Sequence, residues 1–165
     1  MPELTPAELH CLRAAEGWFE LGNVREAEAE LSNFPVTVQL HPAVAELRWQ
    51  IHAKRKQWHE CIQIAQTLTR KAPAEPLGWI HLSYALHELK RTQEAWDSLL
   101  TVVDDFPKEP TMRYNLACYA CQLGDLLEAR RWLKNTFALG RKPETKAMAL
   151  QDADLQPLWP EIEAM

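Results

Sequence analysis

Small and apolar residues recur along the chain with a period of 34 residues. A glutamate followed by a small residue appears four times in register, at Glu26-Ala27, Glu60-Cys61, Glu94-Ala95 and Glu128-Ala129. Mostly apolar side chains follow four and seven residues later, at Leu31, Ala65, Leu99 and Leu133 and then at Phe34, Leu68, Val102 and Thr136. This spacing places them on one face of a helix, so the pattern predicts four helical repeats.

Prolines and a capping pattern mark where the helices of the repeats begin and end. The order Thr5-Pro6-Ala7-Glu8 is that of an N-cap, a proline at the first helical position and a capping-box glutamate. Further prolines lie between the predicted helices, since proline interrupts a helix interior; they are Pro42, Pro73, Pro76, Pro107 and Pro110. The predicted helix pairs span residues 6–21 with 24–34, 42–55 with 58–71, 76–89 with 92–105, and 110–123 with 125–139.

The last part of the chain is predicted to close the stack. A final helix is expected at residues 143–151, followed by a short turn through DADLQPLWPEI. Leu155, Leu158 and Trp159 would cover the exposed end of the core, which any stack of repeats requires. The predicted organisation is one domain over residues 1–165, with repeats at 8–41, 42–75, 76–109 and 110–141 and a cap at 142–165.

The repeat resembles the tetratricopeptide repeat (TPR). The third copy carries the best match and the fourth a partial one, at Trp79, Leu82, Ser83, Ala95, Leu99 and Pro107, and at Leu116, Ala117, Gly124, Ala129 and Leu133. The resemblance implies an all-α fold, a right-handed α-solenoid of about four helix pairs with a C-terminal capping helix. Segments such as GWIHLSYALHEL and YNLACYACQLGDLLEARRWL also look like those of short, stand-alone, uncharacterised bacterial TPR proteins.

Some positions depart from the TPR pattern. In repeat 2, Arg48 and Trp49 stand where the pattern has leucine and a small residue. Lys56 and Lys90 replace the turn glycine of repeats 2 and 3. A lysine in a left-handed turn costs roughly 1 kcal/mol relative to glycine, so altered turn geometry is expected at these two places.

Composition and charge exclude several classes of protein. Hydrophobic residues make up 47% and charged residues 25% of the 165, which is typical of a folded globular chain. A net charge of -5 argues against binding to nucleic acid, and the absence of eighteen consecutive apolar residues argues against a membrane span. Cys11, Cys61, Cys118 and Cys121 lie within helical patterns and not in a disulfide framework, so a cytoplasmic location is expected.

The resemblance implies a concave groove, lined by the first helix of each pair, that binds a protein or peptide partner. The partner-binding residues would be Leu12, Glu16, Phe19, Glu46, Gln50, Ile80, Tyr84, His87, Tyr114, Cys118, Cys121 and Gln122. An apolar and aromatic surface of this kind suits an extended peptide or a helix. The alternative is that the C-terminal segment folds back over part of this groove.

Some TPR proteins hold the C-terminal carboxylate of a chaperone in a clamp of lysine, arginine and asparagine. The corresponding positions in repeats 1 to 3 are Leu12, Glu16, Leu47, Leu77 and His81, and in repeats 2 to 4 they are Glu46, Gln50, His81, Thr111 and Asn115. Without cationic donors there are no charge-assisted hydrogen bonds to a carboxylate. Binding of acidic chaperone tails through this clamp is therefore not expected.

The sequence contains no recognisable catalytic apparatus. Cys118-x-x-Cys121 places two thiols on one helical face, but structural zinc needs four ligands and redox pairs normally lie at a helix N-terminus. No enzyme activity, metal or cofactor is expected. The prediction is a protein-interaction scaffold or adaptor. The alternatives are a chaperone of an exported protein, similar to type III secretion translocator chaperones, and a thiol- or metal-dependent enzyme.

Overall fold

A computed structural model describes residues 3–140 and 142–164, and within these ranges the chain forms helices and no strands. The α-helices are α1 Pro6–Glu20, α2 Val24–Ser32, α3 Val36–Gln39, α4 Pro42–Lys54, α5 Trp58–Lys71, α6 Pro76–Glu88, α7 Thr92–Leu100, α8 Pro110–Gln122, α9 Leu126–Ala138, α10 Lys142–Ala149 and α11 Trp159–Ala164. Two 3-10 helices span Val103–Asp105 and Ala153–Leu158. The predicted all-α solenoid fold is confirmed. In the described part of the chain, no helix has both the length and the apolar character needed to cross a membrane.

The helix starts follow the predicted signals. Pro6, Pro42, Pro76 and Pro110 are each the first residue of a helix, where a proline loses no helical hydrogen bond. At the start of α1 the capping box is complete: the Thr5 amide donates to Glu8 Oε2 at 2.7 Å and the Glu8 amide donates to Thr5 Oγ1 at 3.3 Å. The backbone hydrogen bond from Thr5 lowers the pKa of Glu8.

Two helices, each the second of its predicted pair, end earlier than predicted. α2 ends at Ser32, and Pro35 separates it from the short helix α3 because proline cannot continue a helical hydrogen-bond ladder. α7 ends at Leu100 and is followed by a 3-10 turn. The β-branched run that begins at Thr101 disfavours an α-helix, and the Thr101 hydroxyl donates to the Ser98 carbonyl at 2.9 Å.

The chain divides into two compact units, Met1–Pro73 (unit 1) and Ala74–Met165 (unit 2). The boundary lies close to the predicted border between repeats 2 and 3. In unit 1, α1 packs on α2 and α4 packs on α5. Its core is formed by Leu12, Ala15, Ala27, Leu31, Phe34, Val44, Leu47 and Ile51.

Unit 2 contains two further helix pairs and the cap. α6 packs on α7, α8 packs on α9, and α7 also contacts α8. α10 packs on α9, and the 3-10 helix Ala153–Leu158 lies on α8. Leu99, Met112, Leu116 and Leu133 are fully buried, so the core lies between the two pairs.

The small residue of each repeat is fully buried on the second helix of its pair. Ala27, Cys61, Ala95 and Ala129 all have an exposed fraction of 0%. A small side chain lets two helices approach closely, while the larger apolar residues fill the space around it. The 34-residue column is therefore a packing requirement of the fold.

The two turn lysines adopt the same left-handed conformation as the turn glycines, so the altered turn geometry expected for them is wrong. Lys56 has φ 57° and Lys90 has φ 64°, and the glycines at the equivalent positions, Gly22 and Gly124, have φ 78° and 86°. The backbone bonds after α4 close the turn as they do after α1, with the Lys56 amide donating to the Ala53 carbonyl at 2.9 Å. The same turn is thus built with and without glycine.

Replacing Lys56 by glycine is expected to raise the free energy of unfolding by about 0.5–1 kcal/mol, because the left-handed conformation strains a residue that has a Cβ. Denaturant unfolding followed by circular dichroism measures the change. Lys54→Gly in α4 is the matched control and is expected to lower the free energy of unfolding by about 0.5–1 kcal/mol. A loss of stability in Lys56→Gly would contradict the assignment of strain to this turn.

Candidate protein-binding groove

Four side chains on the first helices of unit 2 form one surface, which we call the unit 2 groove. His87 belongs to α6, and Tyr114, Cys118 and Gln122 belong to α8. The three α8 residues are four positions apart, so they lie on one face of the helix. Tyr114 and Cys118 are buried even though this face was predicted to be open.

The groove is covered by the tail segment, residues 150–164. Its first polar anchor is Asp152, whose Oδ2 accepts a hydrogen bond from the Tyr114 hydroxyl at 2.7 Å and from the Cys118 thiol at 3.5 Å. Its Oδ1 accepts from the Asp154 amide at 3.0 Å, which starts the 3-10 helix. One carboxylate thus both binds the groove and shapes the tail segment.

The second polar anchor is Asp154. Its Oδ2 lies 3.0 Å from His87 Nε2, and its backbone carbonyl accepts from Gln122 Nε2 at 3.0 Å. The other ring nitrogen of His87 lies 3.1 Å from Thr92 Oγ1, which fixes the orientation of the imidazole. The hydrogen bond to His87, followed by the charges of His87 and Lys90, lowers the pKa of Asp154. The bound carboxylate is therefore held in its ionised form.

Apolar residues of the tail segment complete the contact. Leu155, Leu158 and Ile162 are buried, with exposed fractions of 0%, 1% and 0%. The Trp159 indole N–H lies 3.1 Å from the Ala149 carbonyl and 3.2 Å from the Asp152 carbonyl. Burial of Leu155 and Leu158 agrees with the capping role predicted for them.

An ion pair fixes the end of the tail segment to α9. The Arg130 guanidinium makes two hydrogen bonds to the Glu161 carboxylate, and the one from Nη2 to Oε1 is 2.7 Å long. The side chains are partly exposed, so a pair of this kind contributes little to stability and mainly fixes orientation.

The cysteines of the groove lack the properties of reactive thiols. All four cysteines of the chain are free. Burial raises the pKa of the Cys118 thiol well above its usual value, and the nearby Asp152 and Asp154 carboxylates raise it further; burial also raises the pKa of Cys121. A raised pKa disfavours the thiolate that nucleophilic or redox chemistry needs. Among the described residues, no three histidine, cysteine or acidic side chains are grouped so as to hold a metal ion.

The predicted binding residues of unit 2 fall into two groups. His87, Tyr114, Cys118 and Cys121 are buried, and Gln122 is hydrogen bonded to the tail segment. Ile80 is half-buried and Tyr84 is 40% exposed, so both remain accessible. The structure thus has the alternative arrangement, in which the C-terminal segment covers part of the groove.

The predicted residues of unit 1 are also divided. Leu12 lies in the core with Leu47 instead of on an open surface, because its side of α1 faces α2 and α4. Phe19 is half-buried against the same core, whereas Glu16 is exposed. The remaining predicted residues of unit 1, Glu46 and Gln50, bond to each other: Gln50 Nε2 donates to Glu46 Oε1 at 2.7 Å.

The two residues that bind the groove, Asp152 and Asp154, are not predicted as binding residues from the sequence, where they fall in the turn through DADLQPLWPEI. A signal was present in α8, where apolar residues occupy all sides of the helix, a pattern that indicates burial on every face. A covering segment for α8 could have been inferred from that pattern.

Comparison with known proteins identifies the fold. No protein-family model matches the chain, and no curated protein matches it. Among solved structures, the chain is similar to TTC0263, a thermophilic TPR protein of Thermus thermophilus, with a TM-score of 0.67 and 19% identity over 95% of this chain and 99% of that one.

Two MamA structures are also similar. MamA 41-end from Desulfovibrio magneticus RS-1 has a TM-score of 0.66 and 16% identity over 78% of this chain and 73% of that one. MamA MSR-1 has a TM-score of 0.65 and 19% identity over 78% and 74%. At these identities the similarity shows the fold, which is the TPR fold predicted from the 34-residue period.

Proposed function

We propose that this protein is a cytoplasmic, non-catalytic interaction module that binds a segment of a partner protein on the first helices of its repeats. The observation that carries the proposal is the tail segment in the unit 2 groove. Side-chain donors on α6 and α8 bind its carboxylates, and its leucines are buried against the core. A surface that holds a peptide segment of its own chain in this way has the chemistry needed to hold another.

The accessible part of this surface lies on α6. Tyr84 is 40% exposed, and Ile80, four residues before it, is half-buried. Burial, followed by the charge of Glu88, raises the pKa of Tyr84 to about 12, so its hydroxyl is protonated at neutral pH. An exposed tyrosine beside an aliphatic residue is typical of the anchors that contribute most to binding at protein interfaces.

Site-specific crosslinking tests the proposal. A photo-reactive amino acid is placed at Tyr84 of the full chain, and a second version carries it at Leu127, which is 73% exposed on α9. After irradiation in lysate of the source cells, we expect a discrete crosslinked partner from position 84 and none of that mass from position 127. Mass spectrometry identifies the crosslinked protein and the segment attached.

As a control, circular dichroism and the melting temperature establish that both labelled proteins are folded. Adding excess unlabelled wild-type protein should remove the specific crosslink by competition. Equal products from both positions would indicate nonspecific contact. No product at position 84 from a folded protein would contradict binding on this face.

A further inference from the structure

The tail segment presents a short recognisable pattern to the unit 2 groove. Two carboxylates stand two residues apart, at Asp152 and Asp154, and a buried leucine, Leu155, follows directly. The two carboxylates bond to side chains of the groove, and Leu155 belongs to the 3-10 helix that lies on α8. The pattern acidic-x-acidic-leucine is therefore what the groove binds in this structure.

The groove is chemically matched to this pattern. Tyr114 and Cys118 donate to the first carboxylate, and His87 bonds to the second. Gln122 donates to the main chain between the second carboxylate and the leucine. An ionised carboxylate accepts several hydrogen bonds at once, whereas the amide of asparagine offers a single, neutral oxygen, so these donors select for acidic side chains.

Positive charge near the groove also favours an acidic segment. Lys90 lies in the turn after α6 and, with His87, favours the ionised form of Asp154. The arrangement differs from a carboxylate clamp of lysines and asparagines, because a tyrosine, a thiol and an imidazole are the donors here. It also binds side-chain carboxylates within a segment and does not require a chain end.

We propose that the unit 2 groove is a receptor for an acidic-x-acidic-leucine segment, and that the partner protein supplies such a segment in competition with the tail segment. This inference rests on the proposed function and names the partner's chemistry. Because the tail segment is tethered, its effective concentration is in the millimolar range for a short connection, and it lowers the apparent affinity for the partner. Weakening the tail segment should therefore uncover the site.

The test is peptide binding to the full chain with a weakened tail segment. The probe is a fluorescein-labelled peptide, LQDADLQPLWP, which has the sequence of residues 150–160. Fluorescence anisotropy compares wild-type protein with the double variant Asp152→Asn and Asp154→Asn. We expect the variant to bind the probe at least about ten-fold more tightly than the wild type, because its own tail segment competes less well.

A matched peptide, LQNANLQPLWP, tests the carboxylates directly. It is expected to bind the same variant at least about ten-fold more weakly than the acidic probe. Adding Tyr114→Phe and His87→Leu to the variant removes the two main donors and should abolish the difference between the two peptides. Circular dichroism confirms that each protein is folded, and if the double variant is not, the single variant Asp154→Asn replaces it.

Two results would overturn the inference. One is equal affinity of the folded variant for the acidic and the asparagine peptides, and the other is no binding of either peptide. Both results leave crosslinking at Tyr84 unaffected, so a partner captured there would show that the proposed function holds without this recognition pattern. Binding of the acidic peptide without a crosslinked partner at position 84 would support the recognition pattern of the groove and contradict partner binding at Tyr84.

Discussion

Replacing Leu155 and Leu158 by alanine is expected to unfold the cap of unit 2 and to produce the largest loss of stability of any change in the tail segment. Both side chains are essentially buried, with exposed fractions of 0% and 1%. Removing a buried leucine side chain costs about 2–5 kcal/mol, since the transfer free energy is lost and a cavity remains. Because the residues are close together, the two losses need not add.

Differential scanning calorimetry of the full chain measures this loss as a lower melting temperature. The matched control is Leu127→Ala, which removes the same atoms from a side chain that is 73% exposed and should change the free energy of unfolding by about 0.5 kcal/mol or less. If the double variant melts like the wild type, the tail segment is not packed on α8 as described.

The sequence predicts the helices and their order well because the information is local. Prolines at the first position of four helices, the capping box at Thr5 and the recurring small residue each act within one repeat. The turns at Lys56 and Lys90 are left-handed like those at Gly22 and Gly124, which hold the same places in the 34-residue period, so the period was a better guide to these turns than the residue type. Local signals that repeat in register leave few alternatives for the fold.

The groove was predicted less completely because its occupant comes from a distant part of the chain. Asp152 meets Tyr114 across 38 residues and Asp154 meets His87 across 67 residues, and no periodic pattern connects them. The TPR resemblance places Tyr114 and Cys118 in the predicted groove, and in the structure both are buried beneath the tail segment. It carries no information about a tail segment that is not part of the repeat.

The position of Leu12 illustrates a different difficulty. A groove position and a core position can be neighbours on one helix, and α1 has only Leu12 and Ala15 buried. The helical period alone does not tell which side of a broad apolar stripe faces the next helix. The packing of α1 against both α2 and α4 decides it, and that packing is a property of unit 1 as a whole.

The small residue of each repeat offers the sharpest test of the packing between helices. Ala27 is fully buried in α2, whereas Ala29, two residues later in the same helix, is exposed. Ala27→Leu inserts three carbon atoms where α1 and α2 meet and is expected to lower the free energy of unfolding by about 1–3 kcal/mol or more. Ala29→Leu adds the same atoms on the solvent side and should change it by about 0.5 kcal/mol or less.

Both variants carry the same substitution in the same helix and lose the same helix propensity. Denaturant unfolding of the two therefore isolates the effect of the close approach between α1 and α2. The difference in midpoint between them therefore reports the space available between α1 and α2. If Ala27→Leu and Ala29→Leu unfolded at the same midpoint, the glutamate–alanine column would not be a packing requirement, and the 34-residue period would need another physical cause. A large difference would extend the same expectation to Ala95 and Ala129, which are buried at the equivalent positions of unit 2.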